Sequence, residues 1–165
     1  MTTDKPKNKP KDKPKNTTIA TNRQAGRSYE FLEKMEAGMK LVGTEIKSLR
    51  AGKCQLHEGF ARFEKNELFL YNVYIDAYEQ GNIHNHEPTR IRKLLMRKSE
   101  LKKLFGKMTQ KGLTIIPTAV YIKHGIAKCE IALAKPKKLH DNRAEVKKRG
   151  TDREIARTIK SFNQR

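Results

Sequence analysis

From Tyr29 the chain alternates in the two-residue period of a half-buried strand, with Tyr29, Phe31, Glu33 and Met35 on one side and Glu30, Leu32 and Lys34 on the other. Further strand patterns cover about 39–43, 55–64, 67–75, 90–96, 113–122 and 126–134. The last is the clearest. Ala127, Cys129, Ile131 and Leu133 form one face against Lys128, Glu130 and Ala132, and Lys123-His124-Gly125 predicts a hairpin turn back to the preceding strand. Two helical patterns interrupt the strands. Thr44 is placed to cap a helix through Ile46 and Leu49 that stops before Gly52. Ser99 is placed to cap a second, in which Leu101, Leu104, Phe105 and Met108 recur at i, i+3, i+4 and i+7 before Gly112. Many short strands with two or three short flanking helices predict a mainly β fold. An OB-like closed antiparallel barrel is the expected form, because closure removes exposed strand edges.

The two ends read differently. Residues 1–18 alternate Lys and Pro, carry no aromatic residue, and predict a disordered tail, either a solubilising segment or an arm that touches RNA. Residues 19–134 suffice for one core. Residues 135–165 predict a basic tail with few apolar positions, in which Thr151-x-x-Glu154 is a capping box followed by Ile155, Ile159 and Phe162. So polar a helix is expected to form only against a partner, with Arg153, Arg157 and Lys160 turned to phosphates. The linker from Lys135 to Thr151 reaches about 55 Å if extended.

Charge sharpens this picture. The chain is +19 overall, and residues 1–18, 90–111 and 135–165 net +4, +8 and +7, so the rest is nearly neutral. Clustered cations release counterions from closely spaced phosphates, which points to RNA. In the run Arg90-Ile91-Arg92-Lys93-Leu94-Leu95-Met96-Arg97-Lys98 both faces of an extended strand mix cations with apolar groups. Such a strand suits an RNA-contacting edge, where Arg90, Arg92 and Lys93 hold phosphates and Leu95 packs on an unstacked base. The plainer alternative is a basic edge that resists aggregation.

The motifs for nucleotide hydrolysis, acyl transfer and zinc deamination are missing, and His84-x-His86 with Glu87 lies in a loop without further fixed ligands. No enzyme activity, metal or other cofactor is expected. Cys54 and Cys129 stand apart and read as small core residues. Without a long apolar run or an apolar leader, the expectation is a cytoplasmic monomer away from membranes.

The strings Glu36-Ala37-Gly38, Gly43-Thr44-Glu45-Ile46-Lys47-Ser48-Leu49-Arg50-Ala51-Gly52-Lys53, Asn85-His86-Glu87-Pro88-Thr89-Arg90-Ile91-Arg92-Lys93-Leu94-Leu95 and Ala132-Leu133-Ala134-Lys135-Pro136-Lys137-Lys138 closely resemble the SmpB (small protein B) family, the tmRNA-binding proteins of bacteria. The resemblance runs from about Thr18 to the C-terminus. It implies an OB-like barrel that binds the tRNA-like domain of tmRNA and carries it to stalled ribosomes for trans-translation, the tagging of incomplete peptides. It further implies that Asn22 with its neighbour Arg23, Tyr29, Glu36 and Leu95 meet tmRNA. The tail, with Lys135, Lys137, Lys138, His140, Asp141, Arg143, Lys147, Lys148 and Arg149, is implied to enter the decoding region and empty message channel of the small subunit. There it stands in for codon and anticodon, and elongation factor Tu joins through the tmRNA complex. Two positions depart from the family pattern: Pro136 replaces a Gly, and Asn142 replaces a Lys.

A structural ribosomal protein with basic extensions is the alternative reading. Constitutive sedimentation with ribosomes in cells lacking tmRNA would support it. If about six cations meet tmRNA phosphates, log affinity is expected to fall against log salt with a slope of about −5, and a flat response in a titration would contradict the electrostatic account.

Overall fold

The alternation beginning at Tyr29 becomes β2 (Tyr29–Met39), whose inward positions end in buried Ala37 and Met39. The computed structural model describes residues 17–137 and the single position 155. Before β2 come β1 (Thr17–Thr21) and the one-turn helix α1 (Ala25–Ser28). After it follow α2 (Gly43–Arg50), β3 (Cys54–Gln55), β4 (Phe60–Glu64), β5 (Glu67–Tyr71) and β6 (Tyr74–Ile75). A 3-10 turn at Asn82–His84 leads to β7 (Arg92–Leu95), α3 (Lys98–Lys111), β8 (Thr114–Lys123) and β9 (Ile126–Pro136).

The main sheet runs β1-β8-β4-β5-β7-β2-β9, all pairs antiparallel, and β9 also pairs with β8. The pairings that leave β8 through β4 therefore return to it through β9. His124 and Gly125 at φ 51° and 78° make the tight turn between β8 and β9, since two successive left-handed residues match the strand twist. Leu68 and Leu70 of β5, Leu94 of β7, Ile115 and Val120 of β8 and Ile131 of β9 form the core, with Leu49 of α2 and Leu104 of α3 packed onto it. Each large apolar side chain so buried contributes about 1.5–3 kcal/mol.

Several expectations need correction. The pattern at 39–43 is the end of β2 and the entry to α2. The runs 55–64 and 67–75 each break into two strands, and β1 and α1 arise where no element was expected. Neither helix uses its predicted cap. Glu45 Oε2 accepts from Val42 N at 2.8 Å, and Glu100 Oε2 accepts from Arg97 N at 3.1 Å, so in both helices a third-position carboxylate satisfies the first turn. The tail helix expected over 151–162 lies outside the described residues, apart from Ile155, which is helical and exposed. Residues 1–16 lie outside them as well.

The largest correction concerns Arg92. It was expected to meet phosphate, but it is 0 % exposed and lies opposite Leu70 in the β5–β7 register. Its Nε donates to Glu45 Oε1 at 2.8 Å, Nη1 to Val73 O at 2.5 Å and Nη2 to Pro88 O at 2.8 Å. Glu45 is also 0 % exposed and receives Arg90 as well, Nη2 to Oε2 at 2.5 Å. Burial alone would raise the Glu45 pKa and is the largest single influence. Arg90, the Val42 N–H and Arg92 together outweigh it and hold the carboxyl below its ordinary value. Removing one partner strands a buried charge. Arg92→Met is expected to lower stability by about 3–5 kcal/mol, and Glu45→Gln/Arg92→Met is expected to recover part of that loss, both read from urea midpoints.

Candidate nucleic-acid interface

Because side chains alternate along strands, the register that buries Arg92 and Leu94 turns Lys93 and Leu95 outward. Leu95 pairs with Gly38 of β2 and is 49 % exposed. A side chain at 38 would put its Cβ 3.3 Å from that of Leu95, so glycine lets the two strands and the leucine meet closely. Glu36, Leu95, Met96, Arg97 and Lys128 line an open groove of about 740 Å³.

Glu36 is the polar centre of this groove. The Tyr121 hydroxyl donates to its Oε2 at 2.5 Å, and the ammonium groups of Lys123 and Lys128 lie 3.2 and 3.3 Å from its oxygens. Tyr121 above all, then Lys123 and Lys128, hold the carboxyl at about 2. In return, burial and Glu36 push the Tyr121 phenol well up. The result is a half-exposed carboxylate, ionised throughout the physiological range, beside an apolar leucine and a guanidinium. It can accept from the N–H groups of an unstacked base while Leu95 covers the base's face.

The other residues expected at tmRNA divide. Tyr29 and Asn22 line a second cleft of about 300 Å³ with His57 and Phe60. Tyr29 is half-buried against Ala25, Ile116 and Ala134. Asn22 is only 6 % exposed: its Nδ2 donates to Leu56 O at 2.8 Å, and its Oδ1 accepts from Ala25 N at 3.0 Å. It thus anchors the start of α1, and its amide is occupied in this conformation. Arg23 is exposed. Arg90 is committed to Glu45, and Lys93 pairs with Glu67. Lys135 is exposed at the end of β9. Lys137 is drawn back onto the fold, its N donating to Ser28 O at 2.9 Å and its Nζ to Gly26 O at 3.2 Å. The tail residues Lys138, His140, Asp141, Arg143, Lys147, Lys148, Arg149, Arg153, Arg157 and Lys160 lie outside the described residues.

Tyr121, Lys123 and Lys128 were not anticipated as partners of Glu36. The outward position of Lys128 was visible in the β9 alternation, but its meeting with Glu36 depends on the β2–β9 register, which pairs Ala37 with Cys129. His86 is an internal strut rather than a ligand, with Nδ1 at 2.9 Å from Thr44 Oγ1 and Nε2 at 3.1 Å from Ile75 O. Both cysteines are free. Burial raises the Cys54 thiol to about 11 and raises Cys129 as well, so both behave as packing groups. Among the described residues no helix is long and apolar enough to cross a membrane.

Fold and groove together define a small mainly β protein whose outer sheet face sets a carboxylate and a leucine among cations. Comparison with known proteins makes this specific. The family described as "SmpB protein" matches residues 19–161, and the chain belongs to that family. It is 54 % identical to the SsrA-binding protein of Pelotomaculum thermopropionicum over 86 % of this chain and 93 % of that one. It is 49 % identical to the SsrA-binding protein of Ligilactobacillus salivarius over 98 % and 99 % of the two chains. A solved chain described as "tmRNA-SmpB: a journey to the center of the bacterial ribosome" superposes with a TM-score of 0.62 at 51 % identity, covering 73 % of this chain and 85 % of that chain.

The Glu36 carboxyl titrates below its ordinary 4.5, so its stabilising contribution is complete above pH 4.5 and is lost as pH falls toward about 2. Tyr121→Phe is expected to raise the Glu36 midpoint toward 4.5, followed by carbon-13 NMR of its carboxyl; an unchanged midpoint would remove Tyr121 as the principal cause.

Proposed function

We propose that this protein works as a two-part RNA adaptor without catalytic activity. It binds tmRNA and acts with it on the ribosome in trans-translation, the rescue of stalled ribosomes. The strand ring forms an OB-like closed barrel, and the outer face carrying Glu36 and Leu95 receives the tRNA-like domain. Tyr29, Asn22 and Arg23 border a neighbouring part of the same contact, and Arg97, which lines the groove beside Leu95, supplies positive potential at its rim, while Arg90 and Lys93 are held by Glu45 and Glu67. The tail beyond Lys137 addresses small-subunit RNA at the decoding region, and elongation factor Tu is met only through tmRNA. This chemistry belongs to the cytoplasm and needs no cofactor.

The observation that carries the reading is that Glu36 and Leu95, far apart in sequence, share one exposed groove in a member of the SmpB family. The relatives named SsrA-binding proteins align along nearly their whole length, so the comparison spans the barrel together with most of the tail.

The fold sets where the two parts can be separated. β9 continues through Pro136, and Lys137 is tied to Ser28 and Gly26, so a cut before Lys137 would damage the barrel. Removal of residues 138–165 is expected to leave tmRNA affinity within about twofold while abolishing peptide tagging on stalled ribosomes. Leu95→Ala is expected to weaken tmRNA binding about tenfold, the scale of one lost base contact. Equal loss of binding and tagging in the truncated protein would refute the division of labour.

A further inference from the structure

A third cavity, of about 520 Å³, opens between the β4–β5 hairpin and α3, apart from both clefts described above. Lys98, Leu101, Lys102 and Phe105 line it at i, i+3, i+4 and i+7, one stripe of α3. Phe63 and Lys65 line it from the hairpin. Phe105 is 47 % exposed, yet its ring is fixed by an edge-to-face contact with Phe63, centroids 5.3 Å apart at 83°. An aromatic ring held on one side and open on the other is a stacking surface, and stacking accepts any base. The side chains of Lys65, Lys98 and Lys102 make no hydrogen bond or ion pair among the described residues. The acid at the cavity, Glu67, is neutralised by Lys93. Lys65 and Asn66, with left-handed φ of 46° and 65°, form the two-residue hairpin turn between β4 and β5 at the cavity rim.

These features select the occupant. The cavity falls in the range of small-ligand sites, and three unpaired ammonium groups around an open ring match a nucleotide better than an apolar ligand. An added peptide strand is disfavoured, because β5 is paired on both sides, by β4 and β7. The cavity lies near the Glu36–Leu95 groove along the chain: Lys93, whose ammonium reaches Glu67, stands two residues before Leu95 on β7, and α3 begins directly beyond.

Resting on the tmRNA reading above, we propose that this cavity takes an unpaired nucleotide of tmRNA, its base stacked on Phe105 and its flanking phosphates held by Lys65, Lys98 and Lys102. The test uses the full-length protein and tmRNA. Phe105→Leu, which keeps apolar bulk but removes the π face, is expected to raise Kd about tenfold. Lys65→Gln/Lys98→Gln/Lys102→Gln is expected to make the log–log salt slope less negative by about 2 to 3, near one unit per lost phosphate contact. Urea midpoints check folding. Crosslinking of 4-thiouridine-substituted tmRNA to the unaltered protein, expected to place adducts at Phe105 or the neighbouring lysines, gives an answer independent of any variant. Parent-like affinity and slope in both cavity variants while Leu95→Ala weakens binding would overturn the cavity site alone. Unchanged affinity in all three would sink the tmRNA reading with it. Adducts at Phe105 formed by ribosomal RNA instead, on stalled ribosomes, would overturn the choice of tmRNA as the occupant.

Discussion

Glu45 is withdrawn from water in the first turn of α2, and its charge is balanced by two guanidinium groups more than forty residues away, Arg92 on β7 and Arg90 in the loop before it. A buried carboxylate with one hydrogen bond would be costly. This one accepts from Arg90, Arg92 and the Val42 N–H. Arg92 spends its remaining donors on the carbonyls of Val73 and Pro88, so one side chain ties α2 to β7 and to two loops. His86 adds a parallel strut between Thr44 and Ile75. Much of the long motif from Gly43 to Lys53, like the basic string that follows Pro88, is thus a packing device.

That device also sets the register of β7. A slip of one residue would expose Arg92 and Leu94 and drive Lys93 and Leu95 inward, leaving Glu45 unpaired in the core. Only the observed register satisfies the ion pair, and it is the one that presents Leu95 beside Glu36. The outer groove is therefore a consequence of the inner pair. Its carboxylate is held at the surface by half-exposed cations and a phenol, where Glu45 is held in the interior by guanidinium groups against the cost of burial.

The fate of the cations follows from the same packing. In the segment that nets +8, Arg90, Arg92, Lys93 and Lys107 are engaged by Glu45, Glu67 and Glu33. Arg97, Lys98, Lys102 and Lys103 make no side-chain hydrogen bond or ion pair among the described residues. The positive potential available to phosphate thus sits on the exit of β7 and the outer stripes of α3. At the other end of the chain Pro136 lies opposite Tyr29 at the end of β9, a position that spares the strand interior a missing donor.

Local patterning was enough for β2, the β8–β9 hairpin with its left-handed turn, and α3 down to its stop at Gly112, because strand alternation and helical periodicity are written in neighbouring residues. The strings around Glu36, Thr44, Leu95 and Lys135 were enough for the family. β1 and α1 carried too short a pattern to read. The breaks at 55–64 and 67–75 were hidden because apolar residues continue through them. What the chain could not disclose was which charges meet: Arg92 reads like its neighbours Arg90 and Lys93 until β5 and β7 pair, and Glu36 has no visible partner until β8 and β9 are laid beside β2. The sequence by itself determined the longer elements and the surplus of cations. The tertiary structure decided which cations are consumed inside and which remain outside, because an ion pair depends on distance and burial, and both are set by segments remote along the chain.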